Sequence, residues 1–226
     1  MAKEKQNETR TSIDELNESL STFEQKVENN KKYIYWIAGG IVVLALIILG
    51  YVYGIHNPNM ENAKAEIAKA DMDLSLGKDS VALQEYLAVA ANYSNDPANR
   101  ASLNAAIILY KEGKYEEAAA NIKNFDAEGT IVGPASQSLL GDCYVNLKKY
   151  DEAISAFDKA VSLSADNALY TPLFLLKKAT VLRELKDFKA EAEILKTIKE
   201  KYPEFAANYN VDIEKYLVRA QQQAGE

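Results

Sequence analysis

Few side chains in this 226-residue sequence are equipped for covalent or acid–base chemistry, and they do not converge. There is one histidine, His56, and one cysteine, Cys143, so the common nucleophile–base pairs lack a second member. Adjacent carboxylates occur at Glu116-Glu117 and Asp151-Glu152. Each pair opens a helix-periodic stretch, where acidic side chains offset the positive end of a helix dipole. Asp71-x-Asp73 begins like a calcium loop, yet Leu76 stands where glycine is required and Ala82 where glutamate is required. No phosphate-binding glycine loop and no zinc or haem spacing occurs. Asn92-Tyr93-Ser94 fits the glycosylation tripeptide, a pattern frequent by chance. The expectation is therefore a protein with no catalytic residues, no cofactor, no metal and no small-molecule substrate. Cys143 reads as a small buried helix residue; alone, it forms no internal disulfide and says nothing of the redox compartment. The formal net charge of −7 argues against a nucleic-acid partner, which needs clustered Lys and Arg.

The elements that would position any site come from composition and periodicity. Only 5 Pro and 10 Gly occur, and the chain is 48% hydrophobic and 26% charged, a mixture that favours helix throughout. Three zones follow one another. Residues 1–32 are polar, residues 33–55 carry no charge, and residues 60–226 are polar, acidic and helix-periodic.

The middle zone is long enough, at ~1.5 Å per residue and roughly 35 Å in all, to cross a ~30 Å hydrocarbon core. Tyr33, Tyr35 and Trp36 stand at one end and Tyr51 and Tyr53 at the other, where amphipathic rings sit at headgroup level. The polar lead is too long, and the apolar run exceeds the usual length, for a cleaved signal peptide. The segment is expected to be a retained single-pass anchor. Lys31 and Lys32 abut its N-terminal end, whereas the nearest basic residue beyond it is Lys64, so the N-terminus is expected in the cytoplasm. Gly50-x-x-x-Gly54 would allow close approach of another membrane helix. Ahead of the span, Ile13, Leu16, Leu20, Phe23 and Val27 recur at alternating spacings of three and four, and Ser12-x-x-Glu15 has the form of a capping box. This short amphipathic helix is either a spacer beside the bilayer or a docking element.

The third zone repeats itself. Gly113-Lys114-Tyr115-Glu116-Glu117-Ala118 is answered by Lys148-Lys149-Tyr150-Asp151-Glu152-Ala153 and again near Lys186-Asp187-Phe188. A period near 34 with an aromatic just ahead of a helix-buried Ala resembles the tetratricopeptide repeat (TPR). Residues 134–167 carry it most fully, in Leu140-Gly141, Tyr144, Ala153, Phe157 and Ala160, with Gln137 in the tryptophan slot. Gly141 and Ala153 mark where two helices cross closely. Residues 99–132 place Ala105, Ala106, Leu109, Ala118 and Ile122 in these slots, with Phe125 where a small residue is expected. Residues 172–205 place Ala179, Leu182, Leu195 and Ile198, with Glu191 in the Ala slot and helices that would then cross at an altered angle. Residues 63–96 are degenerate: Ala82, Tyr86 and Val89 fit a second helix, while Ile67, Ala70 and Leu74 put the first helix one residue off register. A capping helix is expected at 208–223 from Val211, Ile213, Tyr216, Leu217 and Ala220. The fold class is thus all-α, a TPR superhelix of about four helix–turn–helix repeats behind a single transmembrane helix.

A TPR stack offers a groove lined by its first helices. Its outward slots are Arg100, Leu103, Ile107, Tyr110 and Lys111 in the second repeat, Asp142, Val145 and Asn146 in the third, and Thr180, Arg183 and Glu184 in the fourth. Tyr, apolar and charged side chains together suit an extended or helical peptide, with Tyr110 and Arg183 as the expected anchors.

The layout resembles the YfgM family over residues 33–203, with Leu140-Gly141-Asp142-Cys143-Tyr144 and Lys201-Tyr202-Pro203 as its strongest local matches. The resemblance implies an inner-membrane protein with a periplasmic TPR domain, an accessory subunit of the Sec translocon. Its implied partners are the channel, a membrane-bound periplasmic chaperone and exported polypeptides. The competing expectation is a structural adaptor of another envelope assembly, since repeat grooves are generic.

Overall fold

Helix-favouring composition is realised as helix along nearly the whole chain. A computed structural model describes residues 12–126 and 131–225, in two compact units, residues 1–58 and 59–226. No strand occurs among the described residues. The first unit is built on α1 (Ser12–Tyr51), which runs for 40 residues and passes into a single π-helical turn, Val52–His56. It holds a helix long and apolar enough to cross a membrane, with mean hydropathy 2.3 over its most apolar window. Its side chains, Tyr33, Trp36, Tyr51 and Tyr53 included, are exposed within the chain. A Cβ added at Gly50 or Gly54 would meet no atom within 4 Å, so these glycines are not packed against another part of this protein. The side chains of Ser12, Ile13, Glu15 and Leu16, which carry the capping box and the start of the heptad stripe, lie outside the described residues.

The second unit is a stack of helix pairs: α2 (Asn57–Ser75) with α3 (Asp79–Asn92), α4 (Asp96–Lys111) with α5 (Tyr115–Lys123), α6 (Val132–Asn146) with α7 (Tyr150–Leu163), and α8 (Thr171–Glu184) with α9 (Phe188–Lys201). Two shorter helices follow, α10 (Pro203–Tyr209) and α11 (Ile213–Ala224). Every first helix ends in the same way. The amide of the second turn residue reaches back to a carbonyl five positions earlier, Lys78 to Asp73, Lys114 to Leu109, Lys149 to Tyr144 and Asp187 to Leu182, all at 2.9–3.0 Å. Such closure needs a left-handed residue just before, and Gly77 (φ 72°), Gly113 (φ 77°), Lys148 (φ 57°) and Lys186 (φ 62°) supply it. The two lysines accept a conformation that glycine adopts without steric cost.

These identical turns fix the register of all four repeats. The slots of the tightest crossing hold Ala70, Ala106, Gly141 and Ala179 on the first helices, all buried. Gly141 is the extreme case: a Cβ there would lie 2.5–2.8 Å from three ring carbons of Phe157, itself 1% exposed. On the second helices the small slot holds Ala82, Ala118 and Ala153, each 0% exposed, and then Glu191. The first repeat is not out of register. Asp73 fills the slot that Leu109, Tyr144 and Leu182 fill elsewhere, buried and ion-paired to Lys78 at 2.8 Å, and an acid at an apolar position disguises the pattern. Phe125 falls beyond α5, which stops at Lys123, so the large residue sits half-buried past the helix end. The capping segment is two helices rather than one, because Asn210 turns left-handed (φ 50°) after α10 and α11 begins at Ile213.

Apolar burial divides into two clusters. One gathers Ile67, Tyr86, Leu109, Ile122 and Phe157 from the first three repeats and reaches Val181 on α8. The other gathers Ala179, Leu195, Ile198, Phe205, Ile213 and Leu217 from the last repeat and the two closing helices.

A polar ladder across the first helices

The helical period brings one side chain from each turn of a first helix onto the face shared with the next first helix, and ion pairs join α2 to α4 and α6 to α8 there. Between α2 and α4, Asp71 accepts from the Arg100 guanidinium at 2.8 Å and from the Tyr86 hydroxyl at 2.6 Å. Burial, then the hydrogen bond to Asp71, pushes the Tyr86 phenol up to about 12. Between α4 and α6, the Tyr110 hydroxyl has its pKa raised chiefly by burial and next by the Asp142 charge, while the Asn146 side chain donates to the Asp142 carbonyl of its own helix at 2.8 Å. Between α6 and α8, Lys177 donates to Asp142 at 2.5 Å and to Ser138 at 3.0 Å. Burial raises the Asp142 carboxyl above its ordinary range, with Lys177 pulling the other way. A carboxylate with a raised pKa favours the folded state most when protonated, so this group's contribution declines as pH rises through the carboxylate range. At the far end, Glu191 is 2% exposed and accepts from Arg219 of α11 at 2.6 Å, which leaves Glu191 Oε2 and Arg219 Nε unpartnered.

The side chains expected to face a groove therefore separate into three sets. Arg100 and Asp142 are held in ion pairs between first helices, Tyr110, Leu103 and Val145 are half-buried beside them, and Asn146 is exposed and bonds its own helix at the Asp142 carbonyl. Tyr110 also packs edge-on against Tyr115 with ring centroids 5.4 Å apart, so it is partly a packing residue and not a free anchor. Ile107 (37% exposed), Lys111 and Glu184 stand clear. Thr180 and Arg183 line a cleft of about 250 Å³ with Glu191, Arg219, Tyr216 and Leu195. Thr180 bonds its own helix at the Leu176 carbonyl, and Arg183 lies 3.8 Å from Glu184.

Sequence reasoning missed Asp71, Lys177 and Arg219. Asp71 was hidden by the misread register of the first repeat. Lys177 lies between the slots that a repeat consensus names. Arg219 had a legible signal: an acid in a small-residue slot at Glu191 calls for a cation nearby, and the closing helix carries one.

No group of three or more His, Cys, Asp or Glu side chains is placed to hold a metal among the described residues. Cys143 is 0% exposed, and burial, then the neighbouring Asp142 charge, pushes its thiol up to about 11. A thiol both buried and protonated at neutral pH should resist maleimide in the native protein and react fully in denaturant. Rapid native labelling would mean that α6 is not packed as described.

A family model described as anaphase-promoting complex, cyclosome, subunit 3, matches residues 81–160. A search of the curated proteins found no match. Among solved structures, the chain is similar to the MamA protein, with 17% identity over 72% of this chain and 92% of that one, at a TM-score of 0.55. It is similar to the TPR-like repeats of Podosopora anserina at 16% identity, covering 73% of this chain and 87% of the other, TM-score 0.54. The C-terminal part of a TPR repeat-containing protein from Cytophaga hutchinsonii matches at 20% identity, covering 71% of this chain and 59% of that one, TM-score 0.52.

Proposed function

We propose that the chain's TPR-like, all-α fold serves contact with other proteins. In particular, we propose that the chain is a non-enzymatic, single-pass membrane scaffold that holds other polypeptides along the face of its first helices. In this reading residues 1–32 lie in the cytoplasm, residues 33–55 cross the inner membrane and the repeats stand in the periplasm. The protein acts there as an accessory subunit of the Sec translocon, with a periplasmic chaperone, on exported chains. The translocon assignment draws its support from the YfgM-like layout and from the uncharged run behind Lys31-Lys32.

The observation that carries the binding reading is the contrast along one face. The polar groups of Asp71, Arg100, Asp142 and Lys177 are already satisfied within the chain, which stiffens the face, while Ile107 and Lys111 stand exposed between them. A rigid surface with an apolar and a cationic side chain one turn apart loses little entropy on binding a peptide. Ile107→Glu with Lys111→Glu should leave the melting temperature unchanged and weaken capture of the partner by roughly tenfold, about 1.4 kcal/mol. Full capture by the folded double variant would move the contact to another face.

Purification from native membranes in mild detergent, followed by mass spectrometry, tests the larger reading. Channel subunits and a membrane-bound chaperone are the expected companions. A dedicated assembly of cell division, cytochrome maturation or outer-membrane biogenesis, recovered without the channel, would replace the translocon by an envelope-adaptor role. Protease added to spheroplasts should digest the repeats and spare the N-terminal tail; protected repeats would reverse the topology.

A further inference from the structure

The small slot of the second helices holds Ala82, Ala118 and Ala153 in the first three repeats, so the fold itself asks for nothing larger there. In the last repeat Glu191 occupies it, 2% exposed, against Arg219 of α11. Replacement of a buried ion pair by apolar side chains is often neutral or stabilising, so stability alone does not call for this pair. Nor is the pair complete. Arginine and a carboxylate can meet through two parallel N–H···O bonds, yet here one is made, from an Nη of Arg219 to Oε1 at 2.6 Å. Glu191 Oε2 and Arg219 Nε are buried without a hydrogen-bond partner. The guanidinium carbon lies 5.2 Å from the centroid of the Tyr216 ring, a cation–π contact that supports it in this pose. Both side chains line the cleft of about 250 Å³, whose apolar wall is Leu176, Leu195 and Val211.

The chemistry of these groups selects the ligand. An anion that enters the cleft meets the Glu191 carboxylate, and a cation meets the Arg183 and Arg219 guanidinium groups. A neutral group that donates one hydrogen bond and accepts another opposes neither. The unmet acceptor and the unmet donor belong to one ion pair, so the ligand must carry its own donor and acceptor side by side. A trans peptide group carries its N–H and C=O on opposite edges, whereas a primary carboxamide carries both on one edge. The cleft is smaller than the ~300–1,000 Å³ of sites for drug-sized ligands, which suits a single side chain. We infer that it binds the primary carboxamide of a glutamine or asparagine side chain on a bound polypeptide, which donates N–H to Glu191 Oε2 and accepts from Arg219 Nε. Such a guest satisfies two buried groups that are costly to leave unmet, which a charged or purely apolar guest does not. The inference rests on the polypeptide-holding reading proposed above only for the source of that side chain.

The test titrates the full-length protein in detergent, its leucine and valine methyls labelled for NMR, with three small probes. They are propionamide, the side-chain analogue of glutamine, and its charged counterparts propionate and propylamine. Propionamide should give saturable shifts at Leu176, Leu195 and Val211 and none at Leu109 in the other apolar cluster. It should bind severalfold more tightly than either charged probe. Arg219→Lys keeps a cation for Glu191 but lacks the Nε donor, so it should weaken propionamide binding severalfold. Glu191→Ala with Arg219→Met removes both unmet groups and should abolish the preference for the amide, with melting curves confirming that the variant is folded. Equal or tighter binding of propionate or propylamine would overturn the inference, as would undiminished amide binding by either folded variant. No response to propionamide would overturn it as well. Because the probe is a small amide, that failure would leave capture through Ile107 and Lys111 as it stands, and loss of that capture would leave the amide response intact.

Discussion

Arg219→Met is expected to destabilise the repeat unit by about 3 kcal/mol, the lower end of the cost of stranding one member of a buried ion pair. Glu191 is 2% exposed, and its partner donates from a closing helix 28 residues away in sequence. Removal of the guanidinium leaves a buried carboxylate at a helix crossing without its cation. The lower figure applies because Arg219 is itself 36% exposed, so the pair is partly screened. At about 2–4 °C per kcal/mol for a unit of this size, the melting temperature should fall by roughly 6–12 °C. Glu191→Ala combined with Arg219→Met should recover most of that loss, because Ala occupies the same slot in the other three repeats and the surviving side chains carry no unpaired charge. A melting temperature for Arg219→Met equal to that of the parent would show that the pair does not hold α11 to α9.

Ala153→Leu is the complementary test, of space in place of charge. Ala153 is 0% exposed where α7 crosses α6, and on the opposite helix even one carbon added at Gly141 would enter the Phe157 ring. A site packed this closely accepts a leucine only by displacing a helix, at a cost of about 1–3 kcal/mol. Ala120→Leu, on the exposed side of α5, is the control and should change stability by less than about 0.5 kcal/mol. Equal melting curves for the two variants would mean that the register drawn from the turns is wrong.

What the sequence makes legible is what the repeat geometry demands of residue size. Ala118, Gly141 and Ala153 could be placed at helix crossings because only small residues permit the approach, and all three are buried there. Tyr144 and Phe157 could be placed between helices for the opposite reason. The first repeat was obscured because Asp73 breaks the apolar pattern, and its compensation by Lys78 is local to the turn. The split of the closing segment depends on a left-handed Asn210, which no periodicity announces. The ladder was the least legible part. Slot arguments locate Arg100 and Asp142 on the right face, but whether such a side chain is free for a partner depends on its neighbour in the next repeat. Asp71 and Lys177 answer that question only in three dimensions.

The two apolar clusters give the repeat unit two domains of cooperativity, with α8 contributing Val181 to one and Ala179 to the other. The two clusters meet at that helix, beside the Asp142–Lys177 and Asp158–Lys178 pairs and the Tyr202 hydroxyl bond to Asp166. The last repeat and closing helices can therefore open as a foldon while the first three repeats stay intact, and their amides should exchange through that lower-energy opening. A polypeptide that lies across α6 and α8 bridges the two, so occupancy fuses two unfolding steps into one. Binding at this junction would then be felt as a change in how the protein unfolds before any change in its shape.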